Sequence, residues 1–177
     1  PPILAQTRTC SQWTPEEKMW RWDALCEHLT HLIIFSIEVG PAGTFEAMDR
    51  FPDPAQMEIA REAAAKHQTE LLICFGGNSR TNGFPQMVAN RIARSTFISS
   101  LVTFCREHGL HGVDYNWEYP KDSAEWDGLF TLLIETRRAF DASPGVRLTI
   151  TLAYYPDTRQ EALLAESGAD VLEAIDL

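Results

Sequence analysis

Polar side chains alternate with large apolar ones in the segment from Gly109 to Pro120. Side chains on a β-strand point to opposite faces with a period of two. Asp114, Asn116 and Glu118 are therefore predicted to share one face. The opposite face is predicted to be apolar and to carry Val113, Tyr115, Trp117 and Tyr119. Carboxyl groups held together in this way are suited to general acid–base chemistry.

Alternation of this kind usually marks a strand with one face in water. This strand lies instead between two predicted amphipathic helices, in a run of strand–helix units whose parallel strands are covered on their helix side. The polar face should then point into the middle of a sheet or barrel. Because burying carboxylates there costs several kcal/mol unless they are paired or used, the pattern favours a present or ancestral active site.

The composition predicts one domain over residues 1–177 with a substantial core, since 45% of the 177 residues are hydrophobic. The formal net charge of -10 argues against nucleic acid as a partner. No apolar stretch approaches the roughly 20 residues of a membrane span, and no segment reads as a signal peptide. A neutral or cationic ligand is easier to accommodate.

The four cysteines do not form a Cys-x-x-Cys pattern for zinc or redox chemistry. Cys74 and Cys105 fall inside a predicted strand and a predicted helix, which favours core positions. A bridge between Cys10 and Cys26 is geometrically possible, but spacing alone does not establish it. The histidines are scattered without a ligand-like pair, so no metal site is expected.

Caps and hydrophobic periodicity predict alternating strands and helices. The predicted strands are Ile3 to Thr7, His31 to Val39, Leu71 to Phe75, Val113 to Pro120 and Val146 to Tyr154, with residues 174–177 starting a sixth. The predicted helices run from the capping box at Thr14 to Leu29, from Asp53 to His67, from Arg94 to His108, from Asp122 to Phe140 and from Arg159 to Glu166.

This order implies parallel strands joined by right-handed crossovers. Two α/β architectures fit: an open doubly wound sheet, or part of a barrel of eight strand–helix units. Neither glycine-rich nucleotide fingerprint is present, which weakens the open sheet, and no cofactor is expected. An eight-unit barrel usually takes about 250 residues. The chain would then form an incomplete barrel of about five units and the start of a sixth strand.

Gly109 to Pro120 resembles the active-site strand of the glycoside hydrolase family 18 chitinases, whose pattern D-G-x-D-x-D-W-E-Y-P ends the fourth strand of a TIM (β/α)8 barrel. Leu71 to Gly77 is similar to the family's third strand with its S-x-G-G motif, and Thr30 to Ser36 is similar to its second. The resemblance runs from the first strand to the end of the chain. It implies hydrolysis of chitin or another N-acetylglucosamine polymer.

The resemblance makes Glu118 the general acid, which protonates the glycosidic oxygen. The nucleophile in this family is the substrate's own 2-acetamido carbonyl, which forms an oxazolinium ion that water opens with retention of configuration. Glu118 must then hold a proton near neutral pH, which partial burial and a neighbouring negative charge would favour. Asn116 and Asp114 are the supporting residues.

The chain departs from the family motif at His111 and Asn116, which replace two acids. Asn116 can still accept a hydrogen bond from the acetamide N–H but cannot supply a charge. Losing such a preorganised partner typically costs about 3 kcal/mol of transition-state stabilisation, so slow catalysis is expected. Asp114 either bonds to its neighbours along the strand or forms an ion pair with His111.

Further candidate substrate-binding residues lie near the predicted carboxyl ends of strands. Cys74 replaces the family's inward serine, and Asn78 stands where many members carry an aromatic sugar platform. Gly76 and Gly77 allow a sharp turn or the close approach of a ligand. The aromatic candidates are Tyr119, Tyr154, Tyr155 and Phe84, for each of which core or loop packing is at least an equal alternative. Trp20, Trp22 and Trp126 are predicted to pack helices on the sheet.

In the family, the sixth strand carries a Met-x-Tyr-Asp motif and the eighth strand carries a tryptophan that forms the floor of the site. This sequence reaches Leu177 before either of these features could appear. The expectation is that a missing C-terminal segment or another chain completes the barrel, or that the half barrel is a structural subunit. The rival to an enzyme is therefore a catalytically silent, glycan-binding, chitinase-like protein. The family resemblance suggests secretion or a lysosome-like compartment.

Overall fold

The computed structural model describes residues 2–7, 15–144, 148–153 and 158–177, without the side chains of 6, 7, 15–20, 158 and 159. The strands are β1 (Leu4–Thr7), β2 (His31–Val39), β3 (Phe45–Glu46), β4 (Glu70–Gly76), β5 (Gly112–Asn116) and β6 (Thr149–Leu152). The helices are α1 (Pro15–Cys26), α2 (Pro54–His67), α3 (Phe84–Ala89), α4 (Arg91–His108), α5 (Ser123–Asp141), α6 (Thr158–Glu166) and α7 (Ala169–Ala174), and a 3-10 turn spans Met48–Arg50.

The sheet has the strand order β1-β2-β4-β5-β6, and all neighbours in this order are parallel. The short β3 pairs with the end of β2 in the antiparallel direction. In the register between β4 and β5, Cys74 lies opposite Asp114 and Gly76 lies opposite Asn116. The predicted α/β architecture of parallel strands joined by helices is therefore confirmed.

The helix caps predicted from the sequence form hydrogen bonds in the structure. The Asp53 carboxylate caps α2 by accepting from the Gln56 N–H. The Asp122 carboxylate accepts from the Glu125 N–H, and Glu125 in turn accepts from the Lys121 N–H. Gly109 ends α4 in the left-handed conformation that glycine favours, with φ of 64°. The Gly109 and Asp122 caps fix where the chain enters β5 and where it turns into the next helix.

Two cores lie on opposite sides of the sheet. The larger core lies between the sheet and the helices and contains Val113, Tyr115 and Trp117 from β5 and its continuation. Trp22 and Trp126 belong to it, as predicted, whereas the side chain of Trp20 lies outside the described ones. The smaller core lies on the inner face of the sheet and consists of Ile33, Leu72 and Cys74 with Phe35 packed against them.

The active-site strand is shorter than predicted. β5 ends at Asn116, so Glu118 lies two residues beyond it. Tyr119 is 48% exposed and does not continue the buried apolar face. The chain therefore leaves the strand before Tyr119. The predicted strand was too long because polar and apolar residues go on alternating past Asn116, where the backbone already turns.

Other elements were missed or misassigned. The elements β3, α3 and α7 were not predicted from the sequence. The predicted start of a sixth strand at residues 174–177 begins later than expected, because Ala174 ends α7. Beside β6, the Asp176 N–H donates to the Ile150 carbonyl at 2.8 Å, and the Leu152 N–H donates to the Leu177 carbonyl at 3.2 Å. None of the described helices is both long and apolar enough to cross a membrane.

Candidate active site

Asp114, Asn116 and Glu118 line one groove on the inner face of the sheet, as the strand periodicity predicted. The groove has a volume of about 600 Å³. Its other walls come from β1, β2, β6 and the chain end, and they include Ala5, Ile33, Thr151, Leu152 and Leu177. The parallel register places the polar side chains toward the carboxyl ends of the strands, where barrel enzymes build their sites.

Asp114 is 3% exposed and lies at the floor of this groove. The Thr151 hydroxyl donates to its Oδ1 at 2.6 Å, and Cys74 lies opposite it on β4. Burial raises the pKa of Asp114 above the ordinary aspartate value, while the Thr151 hydroxyl and the Cys74 thiol oppose the rise. Its Oδ2 is buried without a hydrogen-bond partner among the described residues.

The alternative of an ion pair between Asp114 and His111 is wrong. His111 precedes the amino end of β5, where its Nδ1 accepts a hydrogen bond from the Leu71 N–H at 3.1 Å. Side chains separated by three residues on an extended chain point to opposite faces. Asp114 therefore forms the hydrogen-bonded arrangement along the strands instead.

Asn116 is 5% exposed, and its side-chain oxygen is buried without a partner in the described part of the chain. Its backbone carbonyl accepts from the Gly77 N–H at 2.7 Å, which ties β5 to the turn after β4. Burial and then the neighbouring Asp114 raise the pKa of Cys74 well above its usual value, so this thiol stays protonated.

Glu118 is exposed, which contradicts the expected partial burial. Its backbone carbonyl is 3.4 Å from the Thr81 hydroxyl, which donates to it. Its carboxylate has no partner among the described side chains and lies on the groove. Exposure follows from the early end of β5, because Glu118 lies beyond the last strand residue.

The two glycines after β4 bring the chain close to Asn116. Gly76 and Gly77 have φ of 101° and 87°, which side chains rarely tolerate. A Cβ on Gly76 would collide with the backbone oxygen of Asn116, and one on Gly77 would collide with the ring of Phe35. These glycines therefore shape the wall behind the groove without lining it themselves.

The remaining predicted contacts do not gather at the groove. Tyr119 is exposed but is not among the residues that line it, and Tyr154 and Tyr155 lie outside the described residues. Phe84 is fully buried and stacks on Trp117 with ring centres 5.2 Å apart. Phe84 is thus a core residue.

Thr151 and Arg80 lie at or beside the site but were not among the residues predicted from the sequence. Thr151 was recognisable, because an alternating Thr149 and Thr151 pair in the next strand places one hydroxyl opposite Asp114. Arg80 is different, since it follows a turn whose geometry no periodicity reveals. Its Nη1 donates to the Ser36 hydroxyl at 3.0 Å.

The cysteines and possible metal ligands add no second chemistry. Cys26, Cys74 and Cys105 are free and buried, whereas Cys10 lies outside the described residues. Burial raises the pKa of Cys26 to about 11 and that of Cys105 to about 12. The described residues contain no group of three or more histidine, cysteine or acidic side chains that could hold a metal ion.

Comparison with known proteins defines the class of protein to which this fold and site belong. The sequence profile of Glycosyl hydrolases family 18 matches residues 9–176, so the chain belongs to this family. Among solved structures, the fold matches Class V chitinase from Nicotiana tobaccum with a TM-score of 0.70 and 21% identity, over 86% of this chain and 44% of that one. The described strands therefore form part of a TIM barrel.

Individual relatives are chitinases from several kingdoms. The chain is 38% identical over 69 residues to Class V chitinase of Arabidopsis thaliana, which is 39% of this chain and 18% of that protein. It is 35% identical over 91 residues to a probable endochitinase of Caenorhabditis elegans, which is 49% of this chain and 15% of that protein. The chain thus spans well under half the length of the proteins that it matches. A mutant of the Nicotiana tobaccum enzyme was crystallised in complex with NAG4.

Proposed function

We propose that this chain carries the acid–base half of a chitinase site, which cleaves β-1,4-linked N-acetylglucosamine oligomers with retention of configuration. The observation that carries the proposal is the shared groove: Asp114, Asn116 and Glu118 line it together in the order of the family motif. Membership of the family and the chitinase names of the relatives support the substrate class.

Glu118 is proposed as the general acid and then the general base. Its carboxylate lies free on the groove, where a glycosidic oxygen can approach it. It donates its proton to the leaving oxygen while the substrate's acetamide carbonyl attacks the anomeric carbon. Glu118 then takes a proton from the water that opens the oxazolinium ion, which restores its starting state.

Asn116 is proposed to orient the acetamide group. Its buried side-chain oxygen lacks a partner among the described residues and is therefore ready to accept the acetamide N–H. Asp114 lies deeper, where its contacts with Thr151 and Cys74 hold it in place. Because Asn116 is neutral, it cannot balance the positive oxazolinium ion, and catalysis is expected to be slow.

A glycan-binding protein without turnover is the second candidate. Two observations favour it: the amide at Asn116 removes a charge from the motif, and Glu118 is exposed rather than held by described neighbours. Both features weaken catalysis while leaving the groove and its acceptor oxygen available for binding.

The test is hydrolysis of fluorogenic N,N'-diacetylchitobioside by the longest natural form of the chain. Glu118→Gln should reduce the rate at least about 100-fold, which is the typical contribution of a positioned acid–base group. Glu62→Gln, at an exposed position on α2, is the matched control and should leave the rate unchanged.

Asn116→Asp separates the two candidate functions. The variant restores the carboxylate of the motif and should raise kcat by about 100-fold if the charge is what the site lacks. Equal rates for the wild type and Glu118→Gln would reject the enzyme. Binding of chito-oligosaccharide without turnover in any variant would select the glycan-binding protein.

A further inference from the structure

Arg80, in the loop between β4 and α3, lacks the carboxylate partner that Arg50, Arg94 and Arg137 have. The carboxylate partners are Glu38 for Arg50, at 2.6 Å, Glu135 for Arg94, at 2.9 Å, and Asp176 for Arg137, at 3.1 Å. Arg80 contacts no carboxylate among the described residues, although it is partly buried. Its charge is therefore not neutralised by a local ion pair.

The guanidinium of Arg80 is held in place by two neutral groups. Its Nη1 donates to the Ser36 hydroxyl at 3.0 Å, and its central carbon lies 5.2 Å from the centre of the Phe35 ring. The Arg80 N–H closes the turn by donating to the Gly77 carbonyl at 2.9 Å. Of the five N–H donors that a guanidinium carries, the described contacts use one.

These contacts place Arg80 at the carboxyl edge of the inner face, beside the proposed site. Phe35 packs on the inner core. Ser36 donates to the Gly76 carbonyl at 2.8 Å, and Gly76 lies opposite Asn116 in the sheet. The charge of Arg80 also acts on Cys74, where it lowers the pKa against the larger raising effect of burial.

No described carboxylate lies within 4.0 Å of the Arg80 guanidinium nitrogens. Asn116 and Cys74 are neutral, and the carboxylates that line the groove are Asp114 and Glu118. A planar guanidinium with free donors, held against an aromatic ring, is the geometry that binds carboxylate or sulfate oxygens in a bidentate manner.

We propose that Arg80 binds an oxyanion on the glycan, a carboxylate or a sulfate ester, and gives the site a preference for an anionic sugar next to the residue bound at Asn116. This inference rests on the proposed function, since it places the anionic group on the same oligosaccharide. Arg80 would then be a specificity-determining residue rather than a catalytic one.

Isothermal titration calorimetry of the full natural chain tests this preference. The probes are tetra-N-acetylchitotetraose, the same tetramer carrying 6-O-sulfate, and the same tetramer oxidised at C6 to a carboxylate. A charge-assisted bidentate contact should make an anionic tetramer bind about tenfold tighter than the neutral one. Raising the salt concentration should shrink that ratio. Whichever anionic probe gains more identifies the oxyanion.

Variants at Arg80 assign the preference to this residue. Arg80→Gln should abolish it while leaving the affinity for the neutral tetramer within about twofold, and Arg80→Lys should keep part of it, because lysine retains the charge but not the planar fork. Arg106→Gln, at an exposed position on α4, removes the same charge and should keep the full preference. Thermal unfolding of each variant checks that the loop change leaves the fold intact.

The outcomes separate this inference from the proposed function. Equal binding of neutral and anionic tetramers, or a preference that survives Arg80→Gln, would overturn the role of Arg80 alone. Failure of every tetramer to bind would overturn the proposed function and this inference together. If Arg80 only stabilises the loop, Arg80→Gln should lower the melting temperature without changing the ratio of affinities for anionic and neutral tetramers. That result would also overturn the inference.

Discussion

The two faces of β5 treat their buried polar atoms differently. On the helix side, the Tyr115 hydroxyl is buried but is hydrogen-bonded to Thr136 at 2.8 Å. On the inner face, Asp114 Oδ2 and Asn116 Oδ1 are buried without a partner among the described residues. An unsatisfied buried oxygen costs about 1–3 kcal/mol. The helix side is thus arranged for stability, whereas the inner face retains acceptors that a ligand can satisfy.

Packing follows the same division. On the helix side, the ring of Phe97 contacts those of Phe45 and Phe75 at centre-to-centre distances of 5.5 and 4.8 Å in edge-to-face arrangements. Among the described residues, the core of the inner face contains only three buried residues, Ile33, Leu72 and Cys74. Substitutions on the two faces should therefore separate stability from function.

The largest effect is expected on the helix side. Phe97 is fully buried, so Phe97→Ala should lower the free energy of unfolding by about 3–5 kcal/mol through the cavity that it leaves. Urea unfolding followed by circular dichroism measures this loss. Phe97→Leu, which fills most of the space, should cost clearly less. Equal losses in the two variants would show that cavity volume does not control stability on this face.

A smaller but still large effect is expected where the faces meet at the end of β4. Gly76→Ala should cost about 3 kcal/mol, because its positive φ is unfavourable for alanine and its Cβ would meet the Asn116 carbonyl. Gly168 has φ of 91° with no atom within 4 Å of an added Cβ. Gly168→Ala is therefore the matched control and should lose only about 1–2 kcal/mol of unfolding free energy in the same measurement.

Glycan binding by the same two variants sharpens the comparison. A shifted Asn116 should weaken the binding of chito-oligosaccharide in Gly76→Ala, whereas Gly168→Ala should bind normally. Identical binding by both variants would show that the turn after β4 does not position Asn116.

The helix-side face was predictable because one physical rule determines it. Val113, Tyr115 and Trp117 alternate with polar residues, and the burial of apolar surface directs all three side chains into the core between the sheet and the helices. The shared groove of Asp114, Asn116 and Glu118 followed from the same period of two. The capping carboxylates of Asp53 and Asp122 were also readable, because an N-cap is a local signal.

What the sequence did not reveal depends on turns and on contacts between distant segments. The end of β5 at Asn116 decides that Glu118 is exposed, and no residue type between them signals that end. Arg80 meets Ser36 across 44 positions of the chain. The partner of Asp114 likewise comes from Thr151, on another strand, which only the register between β5 and β6 determines.

The smallest expected effect concerns the charge of Asp114 and is visible as a dependence on pH. Burial raises the pKa of Asp114 in the folded chain above its unfolded value near 3.9. The folded state therefore holds this proton more tightly than the unfolded state. At pH values below about 3.9 both states are protonated and Asp114 costs nothing. As the pH rises through the raised pKa, the wild type loses stability that Asp114→Asn does not lose.

Urea unfolding of wild type and Asp114→Asn at a series of pH values from about 3.5 upward, starting below the unfolded-state pKa, measures this difference. Asparagine can still accept from the Thr151 hydroxyl, so the comparison isolates the charge. Asp127→Asn, at an exposed position on α5, is the matched control and should show no such trend relative to wild type. If the stability difference between wild type and Asp114→Asn stays constant with pH, the charged carboxylate of Asp114 does not destabilise the folded chain. The two faces of β5 would then differ in packing alone.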